Sequence, residues 1–520
     1  MANYLLTLTI ANVQHFIAQA RTSRDLFAGS AIVSNLMKAV LGSEVLVSHN
    51  AQIIFPYFGS EVSTSPNNED KSSFPNKMIC KIETTEDKIK KIGKALEACI
   101  NQECMMTILE TTQKGDRSLN NFFQVYWVAV ELDDDYQSSY KQLEKNLGAI
   151  KNLRTFHQEG QVAGVQKCSL CGQRNFAQEN QKDKLCLVCL TKRNYKKEKT
   201  SYPSTAKIAL LDWLKKVPNQ NEYEKLFQKP FDESLYFKEN VSKEYLTKWG
   251  YFKSDDDLQK AIKFLDDLEI EVKQKKHYAL IQFDIDNLGK RLSELNEKSQ
   301  KKLSEKLGEF AGKAKTIVDK YGKTVYAGGD DFLGFVNFKY LFRIIDDLYC
   351  DFASMELDLT FSTSIIIAHY KTPLHKVLDF SRSLLDETKN HFDDKNALGM
   401  QVMNGSAVIA KTIGRYEDLK LLEELKKADI GAGLHLKLHA TFDYLDTMSF
   451  DAFLTQKEMI KVEIKRLLKR EEGEFHQELY DKLISFFGNQ TLELSTNSYQ
   501  IDFDNFIGYL KTLEQLKKVM

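Results

Sequence analysis

Polar and apolar positions alternate along much of this chain in two distinct rhythms. The run Tyr278–Asp286 is strand-like, apolar up to Phe283 and ending in Asp284, Ile285 and Asp286. After it, Lys290–Lys320 carries Leu292, Leu295, Leu303, Leu307, Phe310, Ala314 and Ile317 at helical spacing, predicting one long amphipathic helix. Two short apolar runs, Thr324–Ala327 and Phe332–Val336, flank Gly328-Gly329-Asp330-Asp331. Glycines that permit a tight turn, followed by two carboxylates, predict a β-hairpin with acids at its tip. A helix over Leu341–Phe352 and a strand over Leu359–His369 complete a strand-helix-strand-strand-helix-strand order, the ferredoxin-like order of polymerase palms and nucleotide cyclases.

The N-terminal part shows a related rhythm. Strands are predicted at Tyr4–Ile10, Ile79–Ile82 and Phe122–Glu131, with helices over Val13–Ala20 and Ile89–Gln102 and an exposed loop over Ser60–Asn76. Ser204 or Thr205 is placed to cap a helix over Ala206–Lys216. From Tyr416 onward the pattern is charged and heptad-like, with Phe450, Phe453, Leu467, Leu468, Leu479, Leu483, Phe486 and Phe487 as core candidates. The expected fold is therefore α+β. Two ferredoxin-like, palm- or cyclase-like domains (1–150 and 271–410) enclose a zinc-knuckle and helical domain (151–270), and a C-terminal helical bundle follows (411–520).

Composition changes this picture little. Lys and Arg number 72 against 73 Asp and Glu, so no overall basic excess announces nucleic acid and any such contact must be local. Leu5–Ile10 is too short for a secretory leader, and no apolar run approaches the roughly 20 residues that span a bilayer. A soluble cytoplasmic protein without membrane contact is expected.

Chemistry enters at two places. Paired strands would bring Asp284, Asp330 and Asp331 together, the arrangement of a two-metal phosphoryl-transfer site with cations roughly 3.5–4 Å apart. The second place is Cys168-x-x-Cys171 and Cys186-x-x-Cys189, two knuckles separated by fourteen residues. Four thiolates at this spacing suit a structural zinc ion with no open coordination position. Arg174, Lys184, Lys192 and Arg193 flank it, and this stretch, with Lys192–Lys199, offers basic groups to RNA or to solvent. His435 and His439 sit at helical spacing but lack a third ligand.

In this order the motifs resemble one family, the large subunit of type III CRISPR effector complexes in its III-B (Cmr) form. The residues that carry the likeness begin with Val13-Gln14-x-Phe16-Ile17-x-Gln19-Ala20-Arg21 and Arg24-Asp25-Leu26-Phe27-Ala28-Gly29-Ser30. The four cysteines follow, then Tyr202-Pro203-Ser204-Thr205-Ala206 with Ile208-Ala209. Last come Asp284-x-Asp286-x-x-Gly289-Lys290, the Gly-Gly-Asp-Asp turn, Ser362–His369 and Pro373-Leu374.

The resemblance implies an RNA-activated nucleotidyltransferase that converts ATP into a cyclic oligoadenylate messenger, releasing pyrophosphate, in an antiviral complex. Asp284, Asp330 and Asp331 would hold two Mg2+ (or Mn2+) ions, with structural Zn2+ at the cysteines. Ile285, Asp286, Gly289, Lys290, Gly328 and Gly329 would line the nucleotide, and Arg24, Gly29 and Ser30 a second pocket. Partners would be the other protein subunits and, through the complex, guide RNA and target RNA.

Some positions depart from the family. No His is followed by Asp, so the nuclease pair of many relatives is missing, and Ala11-Asn12 replaces the usual Gly-Pro. Ile285 and Ser362-Thr363-Ser364 stand where smaller residues are common. These changes leave open an acceptor other than ATP, such as S-adenosylmethionine, a cyclic dinucleotide product, or a catalytically silent scaffold.

Overall fold

The computed structural model describes residues 1–57, 73–114, 122–153, 164–180, 183–195, 202–228, 231–427, 433–442, 450–471, 477–488, 491–495 and 498–519. It is a mixed α/β protein with two principal sheets and two short hairpins. The first sheet contains β1 (Ala2–Ile10), β2 (Gln52–Phe55), β3 (Lys77–Thr84) and β4 (Val125–Glu131), in the order β2-β3-β1-β4. β1 is antiparallel to both neighbours. The helix Ser23–Leu41 connects β1 to β2, and Glu86–Thr112 connects β3 to β4.

Local chemistry explains these elements. β1 is buried along most of its length, and its interior threonines are β-branched residues suited to strands. Thr22 and Asp25 form a reciprocal capping box that starts the helix Ser23–Leu41. That helix and its extension to Ser48 are long and apolar enough to cross a membrane, contrary to expectation. Here its apolar side is core: Ile32, Leu36, Met37 and Val40 pack with Leu6, Leu8, Ile92 and Leu96.

A hairpin of β5 (Gln178–Asn180) and β6 (Asp183–Leu185) follows. The expected helix over Ala206–Lys216 is two short ones, Thr205–Ala209 and Leu211–Leu214, and Ser204 does cap the first by accepting from the Lys207 amide at 3.1 Å.

The larger sheet runs β12-β11-β10-β7-β9-β8. Its strands are β7 (His277–Ile285), β8 (Gly322–Gly328), β9 (Asp331–Asn337), β10 (Phe361–His369), β11 (Leu398–Asn404) and β12 (Ala407–Gly414). The predicted long helix is broken. Leu288–Glu294 ends at Leu295, and Glu297–Asp319 restarts where the Asn296 side chain accepts from the Ser299 amide at 2.9 Å. Side-chain periodicity continues across that break, so it was invisible to pattern alone.

Beyond β12 come helices Tyr416–Lys427, Leu434–Phe442, Phe450–Glu471, Gln477–Gly488 and Phe503–Val519. A hairpin of β13 (Thr491–Ser495) and β14 (Ser498–Ile501) interrupts them, which the sequence did not predict. Leu483 and Phe486 are buried as expected. The side chains of Phe450, Phe453, Leu467, Leu468, Leu479 and Phe487 lie outside the described residues, as does most of the expected loop over Ser60–Asn76.

The chain divides into two compact units. One comprises Met1–Pro203, Asn287–Gly334 and Leu348–Leu359; the other comprises Ser204–Asp286, Phe335–Asp347 and Thr360–Met520. The core of the first includes residues of the helices Ser23–Leu41 and Glu86–Thr112 and three knuckle cysteines, Cys168, Cys186 and Cys189, with Cys171 packed against it. The second holds an aromatic cluster around Trp213, Tyr223, Tyr236, Phe237 and Tyr370.

Candidate nucleotide and metal sites

Within the second unit, Asp284 near the end of β7 and Asp286 just after it live in different environments. Asp286 is 2% exposed, and its oxygens accept from Ser362 Oγ at 2.9 and 3.1 Å, Thr360 Oγ1 at 2.9 Å and the Asn396 amide at 3.1 Å. A carboxylate offers about four acceptor sites. Three protein donors serve them here, so Asp286 ties the end of β7 to β10 and to the chain before β11. The Ser362–Ser364 run has its use in the same place. Ser362 serves Asp286, and Ser364 lies 3.1 Å from Ser381, which donates to Gln282 at 2.8 Å.

Asp284 is the more accessible acid, its side chain 34% exposed. It accepts a hydrogen bond from Lys389 Nζ, near the end of the helix Leu374–His391. Burial raises its pKa above the usual carboxylate value, while Lys389 pulls the other way. Sequence reading missed Lys389. A single lysine in a charged helix carries no signal until the strand it faces is known.

Within the first unit, Gly329 and Asp330 form the two-residue connection between β8 and β9, and Asp331 opens β9. The expected acidic hairpin is present. Gly328 answers to a close approach: a Cβ there would lie 1.8 Å from the Tyr326 hydroxyl. That hydroxyl is held well above the ordinary phenol pKa by burial first, then by the charges of Asp331 and Asp330, with Asp331 as hydrogen-bond acceptor. A Cβ at Gly329 would meet only ordinary contacts, Leu307 at 3.8 Å and Phe55 at 3.9 Å. Gly289 has open space at its Cβ position, and it and Lys290 are exposed in the first turn of Leu288–Glu294. Ile285 is buried core.

The N-terminal motif divides in the same way. Arg24 has Nε and a terminal guanidinium nitrogen buried without a hydrogen-bond partner among the described residues, and Ser30 Oγ is in the same condition. Burial lowers the Arg24 pKa, opposed by Asp25. Unpartnered buried donors are costly, and a bound anion or hydroxyl would satisfy them. Gly29 is different. A Cβ there would sit 3.3 Å from both Ile17 Cα and Lys192 Cδ, so it serves packing.

The four knuckle cysteines are the one cluster of potential metal ligands among the described residues, their sulfurs all within 4.8 Å of one another. A tetrahedral tetrathiolate with Zn–S of about 2.3 Å requires sulfurs about 3.8 Å apart. Cys171 and Cys186 sulfurs are 3.9 Å apart. The donor set and its spacing fit zinc. The Gly172 amide donates to the Cys168 carbonyl at 2.9 Å, closing the turn that holds both cysteines, and the chain leaves it with Gly172 at φ 66°. Cys186 caps the helix Leu187–Asn194.

The basic residues beside the knuckle were expected to face RNA or solvent. Two do neither. Lys192 is fully buried and donates to the carbonyls of Phe16, at 2.7 Å, and Gln19. Arg193 donates to Asp25 at 2.7 and 3.0 Å and to Asp183 at 3.2 Å. Arg174 lies over the Phe122 ring at 4.6 Å, and Lys184 donates to Gln166. Residues 196–199 lie outside the described residues. His435 pairs with Glu514 at 2.9 Å rather than with His439.

Comparison with known proteins agrees with this anatomy. Residues 277–399 match the family described as "Cas10/Cmr2, second palm domain", and residues 5–110 match "CRISPR-associated protein Cmr2, N-terminal". A relative from Pyrococcus furiosus, "CRISPR system Cmr subunit Cmr2", is 23% identical over 92% of this chain and 70% of that protein. Among solved structures, a chain of "Type III-B Cmr-beta bound to cognate target RNA" superposes with a TM-score of 0.66 at 14% identity, over 99% of this chain and 83% of that one. The apo state of the same complex gives 0.61, at 14% identity over 99% and 82%. These superpositions show a shared fold, and the palm match places β7–β10 among nucleotidyltransferase-like domains. The two domain matches, in the expected order and with a relative aligned over nearly the whole chain, support a large subunit of the type III-B, Cmr2 kind.

Proposed function

We propose that this chain is the nucleotidyltransferase subunit of an RNA-guided type III effector complex, joining ATP units through 3′–5′ phosphodiester bonds into a cyclic oligoadenylate-type messenger. The observation that supports the reading is an acid-ended β7 and an acidic β8–β9 turn, both inside a segment that matches the Cas10/Cmr2 palm. In this reading Asp284, Asp330 and Asp331 bind two divalent cations. Such ions would polarise the attacking 3′-hydroxyl and neutralise charge on the triphosphate.

The protein's own part is positioning. Asp286, held by three protein donors, fixes the strand end from which Asp284 projects. Gly328 lets Tyr326 lie beside the turn. Gly289 and Lys290 are exposed and Gly329 is half-buried, as contact with a nucleotide requires, whereas Ile285 and Asp286 are buried. Lys389, paired with Asp284, is placed to exchange that carboxylate for phosphate oxygens. Arg24 and Ser30 supply unmet donors for a second nucleotide, with Gly29 as support.

Both principal sheets are proposed as ferredoxin-like units, supported by their matching β-α-β-β-α-β connections and by the strand orders β2-β3-β1-β4 and, within the larger sheet, β8-β9-β7-β10. The proposed division stays at 1–150, 151–270, 271–410 and 411–520, with zinc at Cys168, Cys171, Cys186 and Cys189. Other effector subunits, guide RNA and target RNA are the proposed partners. The named complex bound to target RNA supports that part.

The test is turnover. The assembled complex, given labelled ATP, Mg2+ and matched target RNA, should release pyrophosphate and an oligoadenylate identifiable by mass spectrometry. No product, or one unchanged after Asp330→Ala with Asp331→Ala, rejects the enzymatic reading.

A further inference from the structure

Lys192 is the most deeply enclosed cation described in the molecule, at 0% exposure. It projects from the helix Leu187–Asn194, three residues after Cys189. Its ammonium meets the carbonyls of Phe16 and Gln19, at the C-terminal end of the helix Val13–Ala18, where helix carbonyls lack partners and carry partial negative charge. It also lies 4.8 Å from the centre of the Phe16 ring. Its stem crosses Gly29, where any Cβ would be tight at 3.3 Å. The next residue, Arg193, bridges Asp25 in the first turn of Ser23–Leu41 to Asp183 in β6, and Arg21 pairs with Asp183 as well. The knuckle thus grips both helices that carry the N-terminal motif.

The metal makes the grip conditional. In a closed tetrathiolate site the ion supplies the bonds that join Cys168 and Cys171 to Cys186 and Cys189, and small domains of this kind lose their fold without it. Lys192 and Arg193 project from the helix that Cys186 caps and that carries Cys189, so their hold on Val13–Ala18 and Ser23–Leu41 depends on the ion.

We propose that Lys192 is a metal-dependent latch: it fastens the Val13–Ser30 segment to the zinc-loaded knuckle, and the segment loosens when the metal leaves. The latch rests on the zinc reading of the cysteines and is independent of the catalytic reading.

The test uses the full chain, with zinc content by elemental analysis and hydrogen exchange by mass spectrometry. Lys192→Met should retain one zinc per chain while amides in 13–30 exchange about tenfold faster, and those of β7 and β10 stay unchanged. Lys184→Met, beside the same knuckle, should behave as wild type. Should Lys192→Met fail to fold, chelating the wild-type chain should loosen 13–30 before either sheet. Unchanged exchange in 13–30 with zinc retained overturns the latch. So does zinc loss in Lys192→Met, which would make the residue a support of the metal rather than its messenger. A native chain without zinc overturns the zinc reading and the latch together.

Discussion

Two places in this molecule gather metal-seeking side chains, and they are prepared differently. At the knuckle the four sulfurs already stand within 4.8 Å of one another, around a volume that fits zinc and backed by buried Lys192 and partly buried Arg193. At β7, Asp284 is partly exposed and its charge is met by one lysine from a neighbouring helix. A closed, neutralised site suits a metal that stays. A carboxylate held by a displaceable ammonium suits ions that come and go with substrate.

The sharpest way to break the comparison is to remove a knuckle ligand. Cys168→Ser should abolish stoichiometric zinc and leave the chain insoluble, as expected where metal binding is folding free energy; elemental analysis of soluble and pelleted fractions checks it. A folded, zinc-bearing variant would show the knuckle is less essential than its burial suggests. Asp330→Ala with Asp331→Ala should instead leave zinc and folding intact. Nucleotide product should fall by about 10³-fold or more, since lost cations cost several kcal/mol at the transition state.

Smaller effects separate packing from chemistry. Gly328→Ala drives a methyl group into the Tyr326 hydroxyl and should cost about 1–3 kcal/mol, read by chemical denaturation. Gly289→Ala, with open space at its Cβ, should cost under about 1 kcal/mol.

The smallest effect concerns pH. Burial raises the folded pKa of Asp284, so the unfolded chain releases that proton first. The group's contribution to stability is fullest below the unfolded carboxylate pKa and declines as pH rises through the folded one. Lys389→Met removes the opposing charge, which should steepen the decline and move the acid limb of the metal-dependent rate to higher pH. An acid limb identical to wild type would show that Lys389 does not govern Asp284.

What the sequence made legible was local. Cysteine spacing announced the knuckle because its ligands come in adjacent pairs, and Gly-Gly-Asp-Asp announced its hairpin because turn residues act on their own backbone. The break at Asn296 was hidden, since the apolar period runs on through it. Lys192 and Lys389 were hidden for a different reason: their acceptors, the carbonyls of Phe16 and Gln19 and the carboxylate of Asp284, lie far away along the chain. The same distance concealed that Ser362 exists to serve Asp286 and that Gly29 makes room for a lysine stem.

The most direct measurement is anomalous diffraction from crystals of the effector complex grown with Mn2+ and a non-hydrolysable ATP analogue. Two manganese peaks about 3.5–4 Å apart, ligated by Asp284, Asp330 and Asp331, are predicted. Metal bound at the hairpin with Asp284 still closed on Lys389 would contradict the account.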